Sequence, residues 1–252
     1  MKKLLHGLSM AFSMFTSIPF PCRWDEGARI FQLLFLPAVG LSIGGLWALL
    51  AYGVYRLGLP PFIAGALTAV LPFAASGCIH LDGFMDTSDA VFSRRGVEEK
   101  RRILKDPHTG AFAVMALSLL LLMFYGASAS LSPVPFVWKG LFLIPVFSRV
   151  CAAWAMAALP LIPQSGYRTI QNQLRPSHFA ALCVISFIAA VSAFLLGGAA
   201  LLVLCLGVCA AYWLSLWYAA ASLGGVNGDV SGWALTWGEL AGVIILSLGV
   251  FT

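Results

Sequence analysis

Charged side chains are scarce in this sequence. Only 10% of its 252 residues are charged, whereas 60% are hydrophobic, and the mean hydropathy is +0.92. A soluble domain of this length needs a charged surface to stay in water, and this chain has too few charges to form one. None of its six cysteines forms a CxxC pair, and most sit in apolar runs, which excludes a disulfide framework or a zinc site. No basic stripe interleaved with aromatic residues appears, which excludes a nucleic-acid partner.

Long apolar runs fill most of the chain instead. Because about 20 apolar residues cross the hydrocarbon core, the sequence predicts an all-α, polytopic transmembrane helix bundle of about seven spans, forming one integral membrane domain over residues 1–252. The candidate spans run near 31–56, 61–79, 110–131, 136–160, 178–197, 199–223 and 233–251. Gly197 and Gly198 separate two of them and predict a tight hairpin. The weaker segment Leu4–Phe20 is predicted to be interfacial or re-entrant.

Basic residues orient this bundle. Six of them lie within residues 80–109, and cytoplasmic loops carry the Lys/Arg excess. This rule predicts a multi-pass cell-membrane protein with a cytoplasmic acid-rich loop over residues 80–110. By alternation it places Arg23–Arg29, Arg168, Arg175 and the loop Asn227–Asp229 on the same side. Every polar interruption then falls on one face, so the active site is predicted to face the cytoplasm.

The acids are concentrated in the same segment. Six of the chain's ten lie between Asp82 and Asp106, and Asp82, Asp86 and Asp89 have the i, i+4, i+7 spacing of one helix face. Neighbouring carboxylates repel one another unless a cation lies among them. Oxygen ligands without His or Cys at matching spacing indicate magnesium, which usually binds together with a substrate phosphate. Asp106, beyond the basic run, is a candidate fourth ligand.

Other residues are weaker candidates for substrate binding. Gly83 would allow a backbone or a phosphate to approach closely. Arg94 and Arg95 would suit phosphate oxygens, whereas topology alone explains most of the basic run from Lys100 to Arg102. His80 is either a polar cap or a ligand, and His108 either meets phosphate or is incidental. Arg149 lies inside an apolar run, where it either has an anionic partner or extends to the interface.

The stretch HLDGFMDTSD (residues 80–89) resembles the cobalamin synthase, or adenosylcobinamide-GDP ribazoletransferase, family. The likeness continues through Arg94–Arg95 and residues 104–110, and returns at residues 16–19, 148–149 and 223–229. It implies a transferase that joins adenosylcobinamide-GDP to α-ribazole, or to its 5′-phosphate, and releases GMP. Adenosylcobalamin, or its phosphate, is the second product.

Within that reaction, Asp82 and Asp86 are expected to hold magnesium, and Asp89 or Asp106 to serve as ligand or base. The expected substrate-binding residues are His80, Gly83, Arg94, Arg95, His108, Arg149, Asn227 and Asp229. The bilayer is the expected surrounding, and the oligomeric state, including a homo-oligomer, stays open.

Two alternatives remain at this point. A CDP-alcohol-type phosphotransferase also uses aspartates near a glycine, but its pattern has Ala-Arg where Met85 and Asp86 stand. A cation-coupled transporter would more often place its acids mid-span, with broken helices in two corresponding repeats. Neither transporter feature is visible in this chain.

Overall fold

The computed structural model of the chain describes residues 2–22 and 24–249. Arg23 and the last residues of the predicted span 233–251 lie outside this part. The described residues form α-helices and no strand, apart from one isolated bridge between Leu161 and Val226. The helices are α1 (Lys2–Phe15), α2 (Arg29–Leu34), α3 (Leu36–Arg56), α4 (Pro61–Ala75), α5 (Ile79–Phe92), α6 (Val97–Ile103), α7 (Ala111–Ala129), α8 (Pro135–Ala158), α9 (Arg168–Gln171), α10 (Pro176–Leu223) and α11 (Gly228–Ser247). The all-helical, polytopic class is confirmed.

Five helices in the described part are long and apolar enough to cross a membrane, or six if the bent pair α4 and α5 counts as one span. The five are α3, α7, α8, α10 and α11. The prediction of about seven spans counts the two halves of α10 separately. Helix α1 has only 14 residues, too few to cross the hydrocarbon core, which agrees with excluding it from the spans.

Helix α10 folds back on itself at the predicted glycine pair. Gly197 and Gly198 have non-helical backbone angles, and Gly198 lies at positive φ. Before the break, Lys139 at the start of α8 donates a hydrogen bond to the Leu196 carbonyl, and Trp154 near the end of α8 bonds Ser186. After the break, Leu204 lies beside Gly140 near the start of α8. The two halves therefore run along α8 in opposite directions.

The helix that carries the acids is set at an angle to α4. The two helices meet at 89°, across a turn in which Gly77 and Cys78 both have left-handed backbone angles. Ser17 stabilises this turn by two hydrogen bonds. Its backbone N–H donates to the Ala75 carbonyl at 2.8 Å, and its hydroxyl donates to the Ala74 carbonyl. Most of α5 then packs against α11 and α7. The acid-rich connection predicted over residues 80–110 contains two helices, α5 and α6.

Candidate active site

The three aspartates of helix α5 differ in their exposure to solvent. Asp82 is exposed, Asp86 is half-buried and Asp89 is buried. The predicted helix is present, so Asp82 and Asp86 lie one turn apart on the same face. The difference in exposure arises because the end of α5 enters the bundle, where it meets the start of α7. Only the first two aspartates remain open to a substrate.

Asp89 holds the beginning of α7. Its carboxylate accepts hydrogen bonds from the backbone N–H of Gly110 at 2.5 Å and of Ala113 at 3.1 Å. An acceptor at this position satisfies N–H groups that have no partner inside the helix, and a negative charge there suits the helix dipole. A side chain on Gly110 would collide with this carboxylate, so glycine is required. Both Asp89 oxygens thus have protein partners already.

A different acid joins the open pair. Asp229 begins α11, where the Asn227 side chain accepts a hydrogen bond from Val230 N–H and donates one to Asp229 at 2.7 Å. The Asp229 backbone packs directly on Gly83, because a Cβ at position 83 would lie 2.8 Å from the Asp229 Cα. This contact brings Asp229 within electrostatic range of both Asp82 and Asp86. Gly83 therefore admits a backbone, as its sequence position predicted.

Asp106 and His108 form a separate exposed pair. The Asp106 carboxylate accepts hydrogen bonds from the His108 backbone N–H at 2.9 Å and from its ring at 2.7 Å. These bonds lower the pKa of Asp106 below its usual value. Within the described residues, no group of three or more His, Cys, Asp or Glu side chains is placed to hold a metal ion. The structure therefore does not bring Asp82, Asp86, Asp89 and Asp106 together as one ligand set.

The basic residues divide in a similar way. Arg94 and Arg95 are exposed after α5, Arg94 at positive φ, and neither forms an ion pair with any described residue. Arg101 instead closes the end of α10, since it donates to the Leu223 carbonyl at 2.8 Å and to the Gly224 carbonyl at 3.2 Å. The positive charge there suits the carboxyl end of a helix.

Arg149 has an anionic partner, which is one of the two alternatives that its apolar surroundings left open. Its guanidinium lies 2.7 Å from the Glu239 carboxylate of α11, and both side chains are almost completely buried. Ser148 also donates to Glu239, at 3.0 Å. Leaving either charge unpaired at this depth would cost free energy, so the ion pair stabilises the packing of α8 against α11. Glu239 was not among the predicted residues, although it is the one acid inside the apolar run 233–251.

A cavity of about 400 Å³ opens beside Asp229. Its lining includes the predicted residues His80, Arg149, Asn227 and Asp229, together with Arg29, Lys105 and Tyr167, which were not predicted as site residues. Arg29 reaches the loop before α9 by a 3.5 Å hydrogen bond to the Gly166 carbonyl. Burial raises the pKa of Tyr167 to about 12, so its phenol stays neutral at neutral pH. Arg29 lies in the stretch that the positive-inside rule placed on this face.

The whole chain matches a known family. A family model described as cobalamin-5-phosphate synthase covers residues 7–247. The chain belongs to the cobalamin-5-phosphate synthase family. Among curated proteins, the adenosylcobinamide-GDP ribazoletransferase of Clostridium perfringens is 33% identical over 98% of this chain and all of its own length. Those of Clostridium botulinum and Brevibacillus brevis are each 34% identical, over 96% and 94% of this chain and 97% and 95% of their own. No solved structure matches the chain.

Several of the stretches that carry the family resemblance meet at one end of this cobalamin-5-phosphate synthase family member. Residues 16–19 pack at the turn before α5, and residues 80–89 form most of α5 itself. The 223–229 stretch reaches α5 through the contact between Asp229 and Gly83. Arg149 lines the adjacent cavity together with Asp229. Segments far apart in the sequence are therefore assembled around Asp82, Asp86 and Asp229.

Proposed function

We propose that this protein joins adenosylcobinamide-GDP to α-ribazole, or to its 5′-phosphate, giving adenosylcobalamin or its phosphate and GMP. The observation that carries the proposal is the meeting of α5 and α11 at Gly83 and Asp229, which gathers three acids beside a substrate-sized cavity. Full-length similarity to proteins named adenosylcobinamide-GDP ribazoletransferase supports the same reaction. Gathered carboxylates next to basic groups suit the handling of a diphosphate.

The donor set at this meeting point fits magnesium. Asp82, Asp86 and Asp229 offer only oxygen atoms, and magnesium is commonly held by one or two carboxylates together with water and substrate phosphates. A closed cage of protein ligands is therefore not required. Asp82 and Asp86 would hold the ion, with Asp229 near them. When bound, magnesium would neutralise charge on the diphosphate and polarise the phosphorus under attack.

The transfer exchanges one P–O bond for another. A ribose hydroxyl of α-ribazole forms a bond to the phosphorus attached to cobinamide, and the bond from that phosphorus to the GMP oxygen breaks. The hydroxyl proton must go to a base within hydrogen-bond reach. Asp86 is suited to this role because it is half-buried and surrounded by the other acids. Asp89 is less suited, because both of its oxygens hold α7.

We also place the site on the cytoplasmic side of the cell membrane. Arg29, Lys105 and the loop that carries Gly166 all lie around the cavity, at the same end of the bundle as Asp229. At the other end, Lys139 bonds Leu196 at the reversal of α10. The basic excess therefore clusters on the site's end, and basic residues mark the cytoplasmic side.

The test is reconstitution of the reaction with purified protein. The protein in detergent or lipid is incubated with adenosylcobinamide-GDP and α-ribazole, with magnesium or with excess chelator, and GMP and the cobamide are measured. We expect product only with the metal present. Asp82→Ala and Asp86→Ala should each lower the rate at least a hundredfold, whereas Glu98→Ala, an exposed acid on α6, should not. Absence of product from the wild-type protein would refute the proposed reaction.

A further inference from the structure

The cavity beside Asp229 changes in character from its mouth to its floor. At the mouth, Lys105, Gln164 and Gly166 are exposed. The inner wall is formed by buried apolar side chains, Phe15, Leu36, Met156 and Leu235. A pocket with an apolar interior and a few polar groups is typical of small-molecule sites. This gradient suits a ligand with an apolar ring at one end and a polar group at the other.

Three cavity-lining residues, Arg29, His80 and Arg149, each have one buried nitrogen without a hydrogen-bond partner, and two of these atoms bear on the inner wall. Arg149 is 1% exposed, and its Nε is buried without a partner, although its Nη1 donates to Glu239 and to the Pro145 carbonyl. The His80 Nε2 is likewise buried and unpartnered, while the imidazole ring stacks on Phe15 at 6.2 Å between ring centres. Buried polar atoms nearly always have a partner, and leaving one without costs free energy. Both residues line the cavity, so a ligand there can supply the missing acceptor.

We propose that this cavity binds α-ribazole, the accepting nucleoside, with its benzimidazole ring against Phe15 and His80 and its ribose towards Asp229. This assignment rests on the proposed function and adds which substrate occupies which part of the site. A benzimidazole nucleoside has an apolar bicyclic ring with one free ring nitrogen, which is an acceptor. That nitrogen has one lone pair and would accept from the His80 Nε2–H, which leaves the Arg149 Nε–H for an oxygen of the nucleoside. The corrinoid macrocycle is too large for about 400 Å³ and stays outside.

The guanine of GMP fits the same wall poorly. Its exocyclic amino and carbonyl groups would need several partners of their own, and burying them against Leu36, Met156 and Leu235 would leave them unsatisfied. A benzimidazole carries no such groups. The apolar wall therefore favours the benzimidazole of α-ribazole over the guanine of GMP.

Asp229 connects this cavity to the acids of α5. It lines the cavity and also lies against Gly83, within electrostatic range of Asp82 and Asp86. A ribose at this point presents its hydroxyl groups to the acids that would accept a proton. Lys105 and Arg29, farther out, can meet a 5′-phosphate on the same ribose.

Binding of α-ribazole alone to the purified protein tests the proposal. Gly232 lines the cavity beside His80, and a Cβ there would have its nearest neighbours at 3.5 Å, so Gly232→Leu fills space without a backbone collision. We expect this variant to weaken α-ribazole binding at least tenfold in calorimetry and to leave the KM for adenosylcobinamide-GDP within twofold. Gly126→Leu, on α7 with open space around it, is the matched control and should bind as the wild type does.

A second variant removes one nitrogen and keeps the ring. His80→Phe retains the stack on Phe15 but loses Nε2, and we expect binding to weaken about fivefold to tenfold, as for one hydrogen bond. Unchanged α-ribazole affinity in this folded variant overturns the assignment, even where Gly232→Leu fails to fold. A variant, Gly232→Leu or His80→Phe, that loses GMP binding but retains α-ribazole binding would also overturn the assignment. Wild-type protein that binds α-ribazole but makes no GMP would refute the proposed reaction. The assignment of the cavity to α-ribazole would still hold.

Discussion

The buried pair of Arg149 and Glu239 gives the sharpest test of the packing between α8 and α11. The two side chains are 1% and 3% exposed and 2.7 Å apart; Ser148 also donates to Glu239, and Arg149 also donates to the Pro145 carbonyl. Removing one member of a buried pair leaves an uncompensated charge and costs about 3–5 kcal/mol. Glu239→Gln should therefore lower Tm by on the order of 10 °C for a chain of this size.

The double variant separates stability from function. Replacing both members with apolar residues, Arg149→Met with Glu239→Leu, removes the charge and its desolvation penalty together. We expect the double variant to recover most of the lost Tm, because such replacements are often neutral or stabilising. It should still bind α-ribazole at least fivefold more weakly, since the Arg149 Nε is gone from the cavity wall.

Thermal unfolding in detergent, followed by the fluorescence of the eight tryptophans, measures the first effect. Calorimetry with α-ribazole measures the second. A Glu239→Gln protein that melts within 2 °C of the wild type would show that this carboxylate does not hold Arg149. A double variant less stable than Glu239→Gln would contradict the view that an unpaired charge causes the loss of stability.

Three further predictions concern contacts around the acids. Gly83→Ala should reduce transferase activity at least tenfold, because its Cβ would push Asp229 away, while Gly126→Ala should not change it. Asp89→Asn keeps an acceptor for α7, so it should retain most activity, whereas Asp89→Ala should lower stability by about 0.5–2 kcal/mol. If Asp89→Asn instead abolishes activity, as we expect of Asp82→Ala, Asp89 acts in the chemistry. Arg101→Ala should destabilise the protein more than Arg102→Ala in thermal unfolding, because Arg102 makes only an exposed pair with Glu99.

Local patterns in the sequence predicted features that depend on neighbouring residues. Apolar run length predicted the long apolar helices, though not their exact number, and two adjacent glycines predicted the reversal of α10. The spacing of Asp82 and Asp86 predicted one helix face, and the burial of a charge in an apolar run predicted a partner for Arg149. In each of these cases, the physical cause lies within about two helical turns of the residue concerned.

Features that depend on tertiary contacts were not predictable in this way. Three acids within α5 suggest a solvated loop, yet Phe84, Ala90 and Val91 bury the other face of that helix. The role of Asp89 depends on where α7 begins in space. Nothing local links Glu239 to Arg149, since their contact joins two helices distant in sequence. A single sequence contains no signal for such pairs beyond the rarity of an acid in an apolar run.

The separation of Asp89 from the other acids has a consequence for the chemistry. In a phosphoryl transfer, the attacking and leaving oxygens lie roughly in line on opposite sides of the phosphorus. If the nucleoside binds in the cavity as proposed, its hydroxyl would approach the phosphorus past Asp229, and GMP would leave on the opposite side. Asp82 is exposed, and the large corrinoid needs an open surface. Four carboxylates closed around one ion would block that path, whereas two on an open helix face leave room for the diphosphate.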